Sequence, residues 1–315
     1  MLPAPTMTEK TNRLLDPKND YVFFRIFSEE PELLIDLINA VRADEPPIVE
    51  ITLLDARLTP ERITGKRLVL DLKGVDERGR RFNIEIQVQH FTFWIRRAMM
   101  YLSRLYSEQL EVGKDYQQAQ AVIGIHLLDF DLFKGEPGDK NNALWRFVMY
   151  DPQRAKRLEE TIEVNIVELR KADRLGQLPE RLSAWIAYFE HWNEEAVMNN
   201  LAHPAVQKAH AKLRVLSADE QERYWAEARA RALSDEVTLL NAARREGHKE
   251  GAIESTRRTL LRQLHSRFGE AAAEQSKPML ERITDLDRLE QLADDVVLCT
   301  DADSWLAALH TAAEQ

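Results

Sequence analysis

Four polar residues occupy alternating positions in the stretch "DLKGVDERGRRFNIEIQVQ", residues 71–89. Asp71 and Lys73 stand two residues apart before the turn "DERG", and Glu85 and Gln87 stand two apart after it. Because successive side chains of a strand point to opposite sides, each pair shares one face. If the two segments form an antiparallel hairpin whose register permits it, all four side chains meet on that face.

The types of these residues indicate metal-assisted phosphoryl chemistry. Two neighbouring carboxylates repel each other unless a cation neutralises them, and Mg²⁺ binds one or two carboxylates together with waters and phosphate oxygens. Such an ion activates water and stabilises charge at phosphorus. We therefore expect Asp71 and Glu85 to bind Mg²⁺ or Mn²⁺. Gln87 would orient the attacking water or a phosphate oxygen, and Lys73 would supply a fixed positive charge.

The same spacing is also typical of an ordinary strand. Phe82, Ile84 and Ile86 point to an inner, apolar side, and the polar residues between them would then be an outer, solvated side. A Glu-x-Gln pair alone occurs by chance in most proteins. The order of the surrounding elements is what favours a site over a solvated strand.

Those elements follow from the periodicity of the apolar residues. Asp16 and Pro17 favour the start of a helix, because Asp accepts from free backbone N–H groups and Pro fits the first turn. Gly79 allows the positive φ of a hairpin turn. The predicted helices cover 17–27, 31–42 and 92–112, and the predicted strands cover 48–56, 66–72, 81–88, 120–130, 144–150 and 161–169. After residue 180 the pattern is helical almost to the end, with Gly247 and Gly251 as weak points of a long charged helix.

Composition and charge narrow the functional class. The chain has 315 residues, 44% of them hydrophobic, and one cysteine, Cys299, which excludes an internal disulfide and fits a reducing cytoplasm. No apolar run approaches the roughly 20 residues that span a bilayer. The net charge is −10, but residues 270–315 hold eleven acidic and three basic residues, whereas residues 61–81 hold seven basic and four acidic ones. A polyanion site in the N-terminal part is compatible with this distribution.

Three segments resemble a known family: "NDYVFFRIF" (19–27), "LVLDLKGVDERGRRFNIEIQVQ" (68–89) and "RRAMMYLSRLYSEQLEVGKDY" (96–116). They are similar to the recombination-promoting nuclease or putative transposase family of the PD-(D/E)xK nuclease superfamily. The resemblance covers about residues 15–175. It implies an α/β fold with a restriction-endonuclease-like core, a mixed central sheet flanked by helices, followed here by an all-α C-terminal half. It also implies an Mg²⁺- or Mn²⁺-dependent DNA endonuclease acting in recombination or transposition.

The resemblance assigns roles to individual residues. Asp71 matches the motif Asp, Glu85 matches the motif Glu, and Gln87 stands where many members of the superfamily have Lys. A lysine at position 87 is therefore expected to keep some activity. Asp20 matches an acidic position of the first helix that assists the metal.

DNA contacts are predicted from basic residues. Arg96 and Arg97, at the start of the amphipathic helix, are candidates for phosphate binding. In the first helix the family usually has a basic residue where this chain has Phe24, so Arg25, the next residue, is the candidate contact there.

Three parts are predicted along the chain: a nuclease-like core at 15–175, a helical region with a linker helix at 176–255, and a small helical domain at 256–312. The last part resembles an uncharacterised C-terminal domain that is often appended to such nucleases. We expect a cytoplasmic protein with no membrane segment, which binds DNA and forms homo-oligomers through its helical C-terminal half. The alternative is a catalytically inactive nuclease-like module that binds DNA or protein. His126, in an apolar strand, and the aromatic residues Trp185, Tyr188, Phe189 and Trp192 are predicted to be structural.

Overall fold

A computed structural model gives the fold and describes residues 13–54, 70–110, 115–159 and 161–313. Residues 66–69 of the predicted second strand and residues 61–69 of the basic segment lie outside the described residues. The predicted α/β class is confirmed, because a mixed sheet flanked by helices is followed by a helical C-terminal half.

A six-stranded sheet forms the centre of the N-terminal part. Its strands are β1 (Ile51–Leu54), β2 (Leu72–Asp76), β3 (Arg81–Gln87), β4 (Val122–Leu128), β5 (Leu144–Val148) and β8 (Ile162–Glu168). They lie in the order β1-β2-β3-β4-β8-β5. Strands β3, β4 and β8 run parallel to one another, and the β1–β2, β2–β3 and β5–β8 pairs are antiparallel. A separate hairpin consists of β6 (Tyr150–Asp151) and β7 (Lys156–Arg157).

The turn between β2 and β3 forms as the sequence predicts. Gly79 has a φ of 78°, a left-handed conformation that glycine adopts without steric cost. Asp76 Oδ1 accepts hydrogen bonds from the amides of Arg78 and Arg80, and Asp76 Oδ2 accepts one from Arg80 Nε at 2.8 Å. These bonds fix the turn, and the turn fixes the register of the hairpin.

Helices cover both faces of the sheet. Helix α1 (Asp20–Glu29) and helix α2 (Pro31–Val41) pack on the face formed by Phe82, Ile84 and Ile86. Helix α3 (Trp94–Ser107) covers the opposite face. A second apolar cluster joins α3 to that face and consists of Trp94, Ala98, Leu102, Leu105, Val122, Leu128, Val164 and Ile166. The polar side of β3 is therefore covered and not solvated.

The start of the first helix differs from the prediction. Pro17 lies before the helix, and Asn19 is its N-cap, with Oδ1 accepting from the amides of Tyr21 and Val22. Asp16 instead accepts from the Lys18 amide in the preceding turn. An Asn at the cap position satisfies free helix N–H groups as well as Asp does, so the helix begins three residues later than Asp16 and Pro17 indicate.

Further helices complete the N-terminal part: α4 (Leu169–Leu175), α5 (Glu180–His191), α6 (Glu195–Asn200) and α7 (Pro204–Ala218). Trp185, Tyr188 and Phe189 on α5 are fully buried, and Trp192 packs against the same core. The structural role predicted for these aromatic residues is confirmed.

Helix α8 (Glu220–Phe268) is continuous over 49 residues, including Gly247 and Gly251. It precedes α9 (Glu270–Arg282), α10 (Leu286–Leu298) and α11 (Ala302–Ala313). By compactness the chain divides into one unit up to Leu233 and a second from Ser234. The three-part division at 175 and 255 stays a prediction.

The second unit has an apolar core of its own, in which the indole N–H of buried Trp305 donates to Ser276 Oγ at 2.8 Å. Among the described residues, no helix is both long enough and apolar enough to span a membrane.

Candidate active site

The pairing of β2 with β3 places Asp71 opposite Glu85. Leu72 pairs with Ile84 and Lys73 with Asn83, and the same register continued by one residue aligns Asp71 with Glu85. Residues directly opposite in an antiparallel pair point to the same face. Lys73 Nζ lies 3.5 Å from Asp71 Oδ2 on that face. The register that the hairpin needed to bring these side chains together is present.

The carboxyl group of Asp71 carries an electrostatic cost. Its side chain is 14% exposed. Burial raises the pKa of Asp71, and the negative charge of Glu85 raises it further, while the charge of Lys73 opposes both effects. The pKa of Asp71 is raised overall. A cation bound between the two carboxylates would relieve this cost, because it favours their charged forms.

Glu85 is buried and held by a histidine of the neighbouring strand. The parallel register of β3 and β4 pairs Glu85 with His126, and His126 Nδ1 lies 2.9 Å from Glu85 Oε1. Burial raises the pKa of Glu85, but the hydrogen bond and charge of His126, together with the charge of Arg97, outweigh burial and lower it overall. The Trp94 indole N–H acts in the same direction, although it makes no hydrogen bond of normal geometry.

His126 is fully buried, as a structural residue would be, and its ring packs edge-on against Trp94 with 5.0 Å between centroids. Its contact with Glu85 is not evident from the sequence. The contact depends on the parallel register of β3 and β4, which pairs residues 41 positions apart in the sequence, such as Arg81 with Val122, across an intervening helix. No local pattern specifies that register, so the sequence indicated only a histidine in an apolar strand.

Gln87 is bonded to an arginine of α3. Arg97 Nη2 donates to Gln87 Oε1 at 2.7 Å, and the guanidinium carbon of Arg97 lies 5.7 Å from the centre of the Phe91 ring. Arg97 is half-buried, whereas Arg96 is exposed. The polar row of β3 consists of Asn83, Glu85 and Gln87. Of the two arginines predicted to contact phosphates, Arg97 is the one that bonds to this row.

A family model described as PD-(D/E)XK nuclease family transposase matches residues 17–243. The chain belongs to this family. The match contains the whole six-stranded sheet together with Asp71, Lys73, Glu85 and Gln87. Neither a curated protein nor a solved structure matches the chain. As a PD-(D/E)XK nuclease family transposase, the chain has a nuclease- or transposase-like role, and the family implies DNA as its partner.

Two other residues predicted to belong to the site, Asp20 and Arg25, have ion-pair partners elsewhere in the chain. Asp20 is buried and accepts from Arg229, with Nε at 3.0 and 2.9 Å from its two oxygens and Nη2 at 2.7 Å from Oδ2. Arg25 forms ion pairs with Glu29 at 2.6 Å and Glu222 at 2.9 Å. The assistance of Asp20 to a metal and the contact of Arg25 with DNA stay predictions. Arg229 lies more than 200 residues from Asp20 in the sequence, so no local pattern indicated it.

The donor set formed by Asp71 and Glu85 fits a hard divalent cation held by two carboxylates. Within the described part of the chain, no group of three or more His, Cys, Asp or Glu residues is arranged to hold a metal. Two carboxylates are nevertheless enough for Mg²⁺, which keeps several waters. Around Asp71 and Glu85, four buried polar atoms lack a hydrogen-bond partner among the described residues: Asn83 Oδ1, Trp94 Nε1, His126 Nε2 and Arg97 Nε. Unpaired polar atoms at this density indicate a wet or ligand-binding site.

Proposed function

We propose that the chain is a divalent-metal-dependent DNA endonuclease that hydrolyses phosphodiester bonds in recombination or transposition. The observation that carries this proposal is the opposition of Asp71 and Glu85 on one face of the hairpin, with Lys73 beside Asp71 and Gln87 farther along the same strand face. The family, which is a nuclease family, supports the reaction class.

Asp71 and Glu85 are the residues that would hold Mg²⁺ or Mn²⁺. A bound ion of this kind supplies Lewis acidity and a nucleophilic water at neutral pH. His126 holds one oxygen of Glu85 and leaves the other for the ion. Lys73 stabilises the ionised form of Asp71, and Gln87 binds an oxygen of the phosphodiester or of the attacking water. Arg96, exposed at the start of α3, contacts a DNA phosphate.

One observation favours a second candidate, a nuclease-like module without catalytic activity. Glu85 is only 2% exposed and one of its oxygens is already bonded to His126, so access to this carboxylate is limited. In such a module the polar row of β3 would only stabilise the sheet, and the protein would bind DNA or another protein without cutting.

Nicking of supercoiled plasmid in Mg²⁺ or Mn²⁺ tests the proposal. We expect the wild-type protein to nick plasmid only with a divalent ion, and Asp71→Ala and Glu85→Gln to lose roughly a hundredfold or more of that rate. Glu77→Ala is the matched control, because Glu77 is an exposed acid in the turn of the same hairpin. Its rate should equal that of the wild type.

Calorimetric titration with Mn²⁺ separates the two candidates. The nuclease should bind Mn²⁺, and Asp71→Ala and Glu85→Gln should weaken that binding while circular dichroism shows an intact fold. If the wild-type protein binds DNA but neither binds Mn²⁺ nor nicks plasmid, the inactive module is the correct candidate.

A further inference from the structure

We propose that Arg97 and Gln87 act as one unit, in which Arg97 fixes the Gln87 amide so that its NH₂ group donates to an oxygen of the phosphodiester or of the attacking water. Arg97 is then a positioning residue of the site and not a phosphate contact. This inference rests on the proposed function, because it assigns the polarity of a residue within the same site.

The chemistry of the contact determines which end of the amide is available. A guanidinium has five N–H donors and no acceptor. The atom of Gln87 that lies 2.7 Å from Arg97 Nη2 must therefore be the amide oxygen. The NH₂ group of Gln87 remains, and it has no partner in the described part of the chain. Gln87 consequently offers N–H donors to a ligand, and its oxygen is a poor ligand for a metal cation because a positively charged guanidinium lies 2.7 Å from it.

The surroundings hold Arg97 in place. Its guanidinium lies against the Phe91 ring, with 5.7 Å between the guanidinium carbon and the ring centre. Arg97 is on α3, and this helix is anchored to the sheet by fully buried Trp94 and Leu102. A rigid helix and an aromatic face restrict the arginine rotamers, so the hydrogen bond to Gln87 costs little further entropy.

Arg97 also places a positive charge beside the neutral Gln87 amide. A neutral amide orients a ligand without supplying positive charge, whereas a guanidinium bonded to its oxygen polarises the N–H groups at the other end. Lys73 does not serve this purpose, because it pairs with Asp71 at 3.5 Å and is 40% exposed. The pair of Arg97 and Gln87 thus combines a directed donor with a fixed cation.

Side-chain amide NMR tests the fixed amide independently of cleavage. In protein labelled with ¹⁵N-glutamine, Gln87→Glu identifies the Gln87 NH₂ signals. We expect these signals to be displaced from those of mobile surface glutamines, and Arg97→Ala to move them to the mobile position. Arg104→Ala is the matched control, because Arg104 is an exposed arginine on the same helix and should leave them unchanged. Wild-type signals already at the mobile position would overturn the inference.

A double-mutant cycle tests the consequence for catalysis. Single-turnover nicking is measured at saturating protein, and DNA affinity is measured by the anisotropy of a fluorescein-labelled duplex in Ca²⁺. We expect Arg97→Ala and Gln87→Ala each to slow nicking roughly 10- to 1,000-fold, and the double variant to be no slower than the worse single one. DNA affinity should change less than about threefold in each, and Arg97→Lys should recover part of the rate.

The failures of this inference and of the proposed function are distinguishable. If the wild-type protein nicks plasmid but the two substitutions act additively, or if Arg97→Ala weakens DNA binding with an unchanged saturating rate, Arg97 is an ordinary phosphate contact and only the inference fails. If the wild-type protein does not nick plasmid, the proposed function fails, and with it the role of the pair in catalysis, even where NMR shows a fixed amide.

Discussion

Asp71 carries an electrostatic cost in the folded protein that a bound cation would offset. Its carboxyl group is largely buried and faces another carboxylate, and the counter-charge that the described residues provide is the partly exposed Lys73. Burial and the charge of Glu85 raise its pKa, so the folded protein holds this proton more tightly than the unfolded chain does. The free energy of unfolding therefore falls as the pH rises through this raised pKa.

Asp71→Asn should therefore stabilise the metal-free protein. At pH 7 in EDTA we expect a melting temperature a few degrees above that of the wild type, because the amide removes a buried, repelled charge. The difference should shrink as the pH is lowered toward the ordinary pKa of aspartate, and also when Mg²⁺ is added, which stabilises only the wild type. Thermal denaturation followed by circular dichroism measures it. A wild type that melts above Asp71→Asn in EDTA at pH 7 would contradict this account.

At the scale of elements, the periodicity of apolar residues predicted individual strands and helices, because their formation depends on neighbouring residues in the sequence. The alternation of Phe82, Ile84 and Ile86 predicted β3, and the apolar stripe of Trp94, Ala98 and Leu102 predicted α3. What the sequence could not supply was the parallel pairing of β3 with β4, because long-range register depends on the assembled sheet. The hydrogen bond of His126 to Glu85 depends on that pairing, and the position of α3 over the polar row brings Arg97 to Gln87.

Gly124 on β4 shows how closely α3 approaches this row. A Cβ at this position would lie 2.7 Å from His126 Nε2 and 2.8 Å from Leu102 Cδ1. Both of these neighbours are fully buried. An added methyl group must therefore displace the histidine that holds Glu85, or lift α3 from the sheet.

Gly124→Ala should destabilise the protein by about 1–3 kcal/mol, the usual cost of overpacking a core. We also expect weaker Mn²⁺ binding, because displacement of His126 releases Glu85. Urea denaturation and calorimetry measure the two effects. Gly138→Ala is the control, since Gly138 has a φ of −75° and open space around its Cβ position. Equal behaviour of the two variants would show that the contact of α3 with β4 is looser than described.

At the scale of the whole chain, the negative charge is concentrated at the C-terminal end. Residues 270–315 hold eleven acidic and three basic residues, which accounts for most of the net charge of −10. These residues belong to the second unit, which also exposes the aliphatic side chains of Leu239, Leu240, Val297 and Leu298. An acidic surface repels DNA, and exposed aliphatic groups favour contact with protein.

A chain that ends at residue 250 should therefore still bind and nick DNA, since the first unit ends at Leu233. We expect its oligomeric state to differ from that of the full chain, because the helical C-terminal half is the proposed contact between copies. Light scattering and plasmid nicking measure the two properties. The division of roles is wrong if the shortened chain keeps the stoichiometry of the full chain and loses all activity on DNA.

The contact of Arg97 with Gln87 couples the substitutions that this chain should tolerate at positions 87 and 97. Gln87→Lys alone would place two cations within hydrogen-bond distance, so while position 97 is Arg this variant should keep less activity than the resemblance to lysine-containing relatives implies. The exchanged pair, Gln87→Lys with Arg97→Gln, should be more active than either single change. An exchange between Lys and Gln at position 87 would then pass through a less active intermediate. A library that varies positions 87 and 97 together should return active variants in which the residues at the two positions are correlated. Independent tolerance at the two positions would show that no such epistasis exists.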